Sequence, residues 1–165
     1  MTATTKKVTL ADVHVGDMLP ELAYPVTATT IVLGALAARD WRPMHHDYDF
    51  AVNRNGTRNI FLNTPNQAAW FERYVTDWTG PFGRMGWIRF RMKDSVFPGE
   101  TMVFRGTVKN VDTDERGCAW AELDLVLTSG GRETTVCTAR VAIPAAEGDN
   151  PWKRRGEDWK PRAAA

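Results

Sequence analysis

The sequence predicts an α+β fold in which one antiparallel sheet packs on one long helix, and three observations carry that prediction. A strongly signalled helix starts at Thr64, the hydrophobic period changes from 3.6 to 2 after Gly86, and three turn signals then separate four β-rich runs. The chain has 165 residues, 43% apolar and 25% charged, which suits one globular domain with a single core. Repeat arrays and multidomain enzymes do not fit that size.

In chain order, the first 24 residues carry little pattern. Val13, Val15, Met18 and Leu19, punctuated by Gly16 and Asp17, read as a loop laid across an apolar surface. The run 31–38 is rich in helix formers, with Thr29 or Thr30 available as its cap and an end near Arg39. Pro43 forbids a smooth continuation and pushes Arg42 toward extended angles, so residues 40–49 read as a loop. Thr64-Pro65-Asn66-Gln67 matches a capping box with Thr64 at the cap and proline at the first helical position. Phe71, Tyr74, Val75 and Trp78 then recur at helical spacing until Gly80-Pro81 closes the helix, and this face is core. Beyond Gly86, Ile88, Phe90 and Met92 alternate with Arg89, Arg91 and Lys93 as in a half-buried strand. Pro98-Gly99-Glu100, Asp114-Glu115-Arg116-Gly117 and Gly130-Gly131 bound three more strands, the last over about residues 134–143. In the third, Ala119, Ala121, Leu123, Leu125 and Leu127 share a face. Residues 144–165 read as a loosely ordered tail, or one docked on a neighbouring subunit.

Composition narrows function. Lys and Arg number 21 against 20 Asp and Glu, and a net charge of +1 gives no field to gather phosphate backbones, which argues against nucleic acid. No apolar window approaches a membrane span, and the opening MTATTKKVTL lacks the apolar stretch of a signal peptide, so no membrane partner and a cytoplasmic location are expected. Cys118 and Cys137 have no zinc-type spacing and read as reduced core residues.

Chemistry concentrates in Asp40-Trp41-Arg42-Pro43-Met44-His45-His46-Asp47, which holds two of the three histidines. A carboxylate and an imidazole in one short loop can bracket a water and remove its proton as it attacks; the competing reading is a solvated polar loop. No metal is expected, because a catalytic site wants three ligands and the remaining histidine, His14, is far off in sequence. Covalent catalysis has no signature either. Arg84, Arg89, Arg91 and Lys93 read as a solvated strand face or as a landing for the phosphates of a ligand. Trp70, Phe71 and Trp78 read as core ahead of an acyl tunnel.

Asp40, Pro43, His45 and Asp47, completed by Phe50-Ala51, resemble the signature of the MaoC-like and (R)-specific enoyl-CoA hydratases. Val96-Phe97-Pro98-Gly99-Glu100-Thr101 resembles that family's strand-turn signal. Over residues 38–81, RD, HHD, NIFLN and RYVTDWTGP resemble most closely the small subunits of the actinobacterial steroid side-chain hydratases, in which two different chains pair. The resemblance implies a single hot dog domain over residues 1–143, a long central helix wrapped by the sheet. It implies hydration of a trans-2-enoyl-CoA, with a bulky steroid side-chain acyl group suggested, and no cofactor beyond the coenzyme A of the substrate. Asp40 and His45 would orient and deprotonate water, and the backbone N–H of Asn63 would meet the thioester oxygen, although Asn63 also reads as a plain helix cap. Candidate substrate contacts are Arg42, Asp47, Thr64, Arg91 and Lys93. The expected assembly is a homodimer, or a heteromer with a related hot dog chain. An acyl-CoA thioesterase and a non-catalytic subunit that completes a partner's cleft are the alternatives. The sequence departs from the family at Arg42, where most members have Asn, and at Arg39, where Gly is usual.

Overall fold

The computed structural model describes residues 8–161. Its strands are β1 (Met18–Pro25), β2 (Arg84–Met92), β3 (Thr101–Thr113), β4 (Ala119–Ser129) and β5 (Arg132–Ile143), all antiparallel in one sheet of order β1-β3-β4-β5-β2. Three helices, α1 (Ala28–Ala37), α2 (Tyr48–Asn53) and α3 (Thr64–Thr79), fall between β1 and β2. The α+β layout and its four expected strands are all present, and a fifth strand joins them.

That fifth strand, β1, occupies part of the segment expected to be a loop. It is an edge strand paired only with β3, so Pro20 and Pro25 cost it little, and its register shifts between Leu19 and Leu22. Val13 and Leu19 are buried, while Val15 and Met18 are exposed. Helix α1 starts earlier than expected: Thr27 is its cap and accepts from the Thr30 N–H at 3.1 Å. Helix α2, capped by Asp47, begins inside the expected loop 40–49 and runs on to Asn53, a stretch for which the sequence reading gave no element.

Helix α3 lies on one face of the sheet. Phe71 packs edge-on against Phe104 of β3 at 5.1 Å, and Tyr74 lies 5.7 Å from the same ring. The alternate residues Ala119, Ala121, Leu123, Leu125 and Leu127 of β4 meet this helix side as a buried row. Burying each large side chain there contributes about 1.5–3 kcal/mol. The cap of α3 is Asn63, whose side chain accepts from the Asn66 N–H at 3.3 Å, so Thr64 is the first helical residue and not the cap. Both residue types cap well, and sequence spacing favoured the wrong one by a single position.

The described part of the expected tail, residues 144–161, leaves the core edge at Ala145 and from Pro151 onward packs on the other face of the sheet, at its Trp120 end. Trp159 packs 5.0 Å from Trp120, and the Arg84 guanidinium sits 3.5 Å over the Trp159 ring. Arg84 also donates to the carbonyls of Pro151 and Arg154, and the Trp152 indole donates to the Gly83 carbonyl at 3.1 Å. Cys118 lies under this layer and Cys137 in the main core; burial pushes their thiols up to about 11 and about 12. Among the described residues no helix is long and apolar enough to cross a membrane. Residues 1–7, the part of the opening read for a signal peptide, and 162–165 of the tail lie outside the described residues.

Candidate active site

The site is built outward from the end of α1. There the Arg39 N–H bonds to Leu36 O at 3.0 Å and the Asp40 N–H to Ala35 O at 2.9 Å, a Schellman ending. The residue between these turns must adopt a left-handed backbone, and Arg39 does so at φ 52°. This is the position where glycine is usual in the family that the sequence resembles. The ending throws Asp40 back toward the start of α3. Arg42 is then extended, as a residue before proline must be, and Pro43 opens a single 3-10 turn that ends on His45.

Four of the predicted site residues meet. His45 Nε2 lies 3.5 Å from Asp40 Oδ2, with His45 itself 2% exposed. Asn63 Nδ2 donates to Asp40 Oδ2 at 3.1 Å. Arg42 forks onto Asp40, Nε to Oδ1 and Nη2 to Oδ2, both at 2.8 Å. Asn63 reaches Asp40 because α1 crosses α3 at Gly34, where a Cβ would stand 1.6 Å from Asn66 Nδ2. One asparagine therefore caps α3 with its oxygen and holds the carboxylate with its nitrogen.

Histidine orientation comes from a group that sequence reading missed. His45 Nδ1 lies 2.8 Å from the Phe61 carbonyl, which only accepts, so Nδ1 carries the proton and the neutral ring keeps its lone pair on Nε2. A main-chain carbonyl leaves no side-chain signal from which to foresee it. Nε2 is buried with no hydrogen-bond partner. Burial lowers the affinity of His45 for a second proton, outweighing the Phe61 carbonyl and the Asp40 charge that raise it. The Arg42 fork holds the Asp40 carboxyl well below the usual carboxylate range. The result is a neutral base beside a permanent anion.

The other candidates lie elsewhere. Asp47 caps α2, accepting from the Phe50 N–H at 3.0 Å. The Thr64 hydroxyl rests on Met92 Sδ at 3.3 Å. Lys93 pairs with Glu133. Arg91 lines a groove of about 770 Å³ on the sheet with Arg89, Arg105 and Val126, and Asp40, His45 and Asn63 are not part of its lining. His14 pairs with Asp17 at 3.6 Å, and among the described residues no three His, Cys, Asp or Glu side chains stand together as metal ligands.

Over 98 residues the chain is 40% identical to the 3-oxo-4,17-pregnadiene-20-carboxyl-CoA hydratase beta subunit of Mycobacterium tuberculosis, a match covering 59% of this chain and 75% of that one. Among solved structures, a chain of the ChsH1-ChsH2 complex from Mycobacterium tuberculosis superposes with TM-score 0.73 at 32% identity, covering 79% of this chain and 98% of that one. The (R)-hydratase from A. caviae involved in PHA biosynthesis shares the hot dog fold, with TM-score 0.71 at 20% identity and coverage of 80% and 98%. No protein-family model matches.

Proposed function

Because this chain belongs to the MaoC-like hydratases of the hot dog fold, we propose that it carries the acid and imidazole of an enoyl-CoA hydratase assembled from two related hot dog chains. One observation carries the proposal: a buried imidazole with a free Nε2 lone pair stands 3.5 Å from a carboxylate. A water beside this pair donates a proton to His45 Nε2 while its oxygen bonds to C3 of a trans-2-enoyl thioester. The C2–C3 π pair shifts to the thioester oxygen as an enolate. His45 then returns the proton to C2, and one water has been added. The Asp40 charge stabilises the imidazolium between these steps. Negative charge on the thioester oxygen needs preorganised donors, and the start of α3 supplies them. Pro65 has no N–H and that of Asn66 is taken by its cap, which leaves the backbone N–H groups of Asn63 and Thr64.

The likeness to a pregnadiene-carboxyl-CoA hydratase beta subunit supports a bulky steroid-like acyl group, and the likeness to one chain of the ChsH1-ChsH2 complex supports a heteromeric partner. A second reading, a non-catalytic subunit that completes a partner's cleft, is favoured by the engagement of Asp40 with Arg42.

The test is to mix the chain, alone and co-expressed with a related hot dog chain, with crotonyl-CoA and with a steroid enoyl-CoA. The conjugated absorbance should fall and the product gain one water. Asp40→Asn and His45→Ala should each slow this by roughly 10²- to 10⁴-fold. Full rate in both variants removes the pair from the mechanism, release of free thiol marks a thioesterase, and binding without turnover marks a non-catalytic subunit.

A further inference from the structure

We infer that Arg42 is a positioning residue and not a substrate contact: its fork fixes Asp40 as an anion with no acceptor site to spare, so that His45 alone carries the proton. The inference rests on the hydratase reading above and divides the labour within it.

A carboxylate offers about four lone-pair sites. Oδ2 receives Arg42 Nη2 at 2.8 Å and Asn63 Nδ2 at 3.1 Å; Oδ1 receives Arg42 Nε at 2.8 Å and, at a longer 3.4 Å, the Arg42 backbone N–H. Four donors meet four sites. A water arriving beside Asp40 and His45 therefore finds an unfilled acceptor only on His45 Nε2. The bidentate fork also fixes the carboxylate plane, which a lysine, as a point charge, does not do. Asp40 acts through its charge: it faces the imidazole at 3.5 Å and steadies the ring once the water's proton has moved there.

The charged and titratable groups around the pair are few. Asp40 is faced by Arg42 from the loop, His45 from the 3-10 turn and Asn63 from the cap of α3. His45 feels Asp40, Arg42 and His46, with the Phe61 carbonyl behind it. Of these Arg42 is the one permanent cation, so removing it eases protonation of both Asp40 and His45.

Two measurements test the assignment in the assembled protein. In steady-state hydration, Arg42→Gln should lower kcat roughly 10- to 100-fold with KM within about twofold, and move the acid limb of the pH profile to higher pH. Free guanidinium should restore part of the rate. Arg42→Lys should also lower kcat but leave the acid limb in place, because the charge remains and only the fork is lost. In carbon NMR of the labelled Asp40 carboxyl, the wild type should stay ionised to the lowest pH at which it is folded, while Arg42→Gln titrates nearer the ordinary carboxylate value of 3.8. A raised KM with unchanged kcat, or a wild-type Asp40 that titrates at the ordinary value, overturns the inference. If the wild-type assembly hydrates nothing, the hydratase reading falls, and the NMR titration still decides whether Arg42 holds Asp40.

Discussion

At the scale of single residues, the site is governed by which group holds a proton. The folded protein lowers the proton affinity of His45, so between its folded value and 6.5 the unfolded chain binds more protons. His45's contribution to stability is complete above pH 6.5 and is lost as pH falls through that window. Hydration should follow the same direction, with kcat/KM against pH showing an acid midpoint below 6.5; a midpoint above it would contradict the assigned tautomer and burial. Asp40, also depressed, contributes above its ordinary 3.8 and loses that contribution as acid approaches its folded value. Arg39 offers a separate check. A side chain held at φ 52° costs about 1 kcal/mol relative to glycine, so Arg39→Gly should raise Tm by a few degrees in calorimetry. Asp40 and His45 were legible from sequence because they sit five positions apart in one loop. Asn63 was legible as a helix-end residue but not as a ligand of Asp40, since 23 residues separate the two and only the α1–α3 crossing brings them together.

At the scale of elements, legibility followed the strength of local signals. Helix α3 and strands β2 to β5 have clear periodicity and turns, and each was placed within a few residues. Strand β1 was missed because an edge strand with two prolines and one neighbour has no need of strict alternation. Helix α2 was missed because six residues behind an aspartate cap give too short a window for a 3.6 period. The crossing of α1 over α3 was not readable at all, since it depends on a missing side chain at Gly34. Adding one methyl there collides with the end of the Asn66 side chain, which must swing aside and give up its bond to the Thr30 carbonyl. Gly34→Ala should therefore cost about 1 kcal/mol, read as a Tm lower by a few degrees, and leave the hydration rate within a few fold, because the Asn66 backbone N–H that Asn63 caps is untouched; a tenfold loss of rate would mean that the Asn66 side chain helps hold Asp40 in place.

At the scale of the whole molecule, the sheet is covered on one face along its length and on the other only at its Trp120 end. The first cover is the helix layer, which carries the site; the second is the end of the run 144–161, pinned by Trp159 on Trp120 and by Arg84. Trp159→Ala removes a ring pair and a cation–π contact and should cost about 1–3 kcal/mol in denaturant unfolding while leaving kcat unchanged. A comparable loss of turnover would tie the tail to catalysis. Each side of the sheet also shelters one thiol, Cys118 beside Trp120 under the tail and Cys137 within the main core. Alkylating reagents need a thiolate in contact with solvent, so neither sulfur reacts until its own cover lifts. The rates at which iodoacetamide captures the two are separate clocks: the first times local fraying of the C-terminal strap, the second times disruption of the main core.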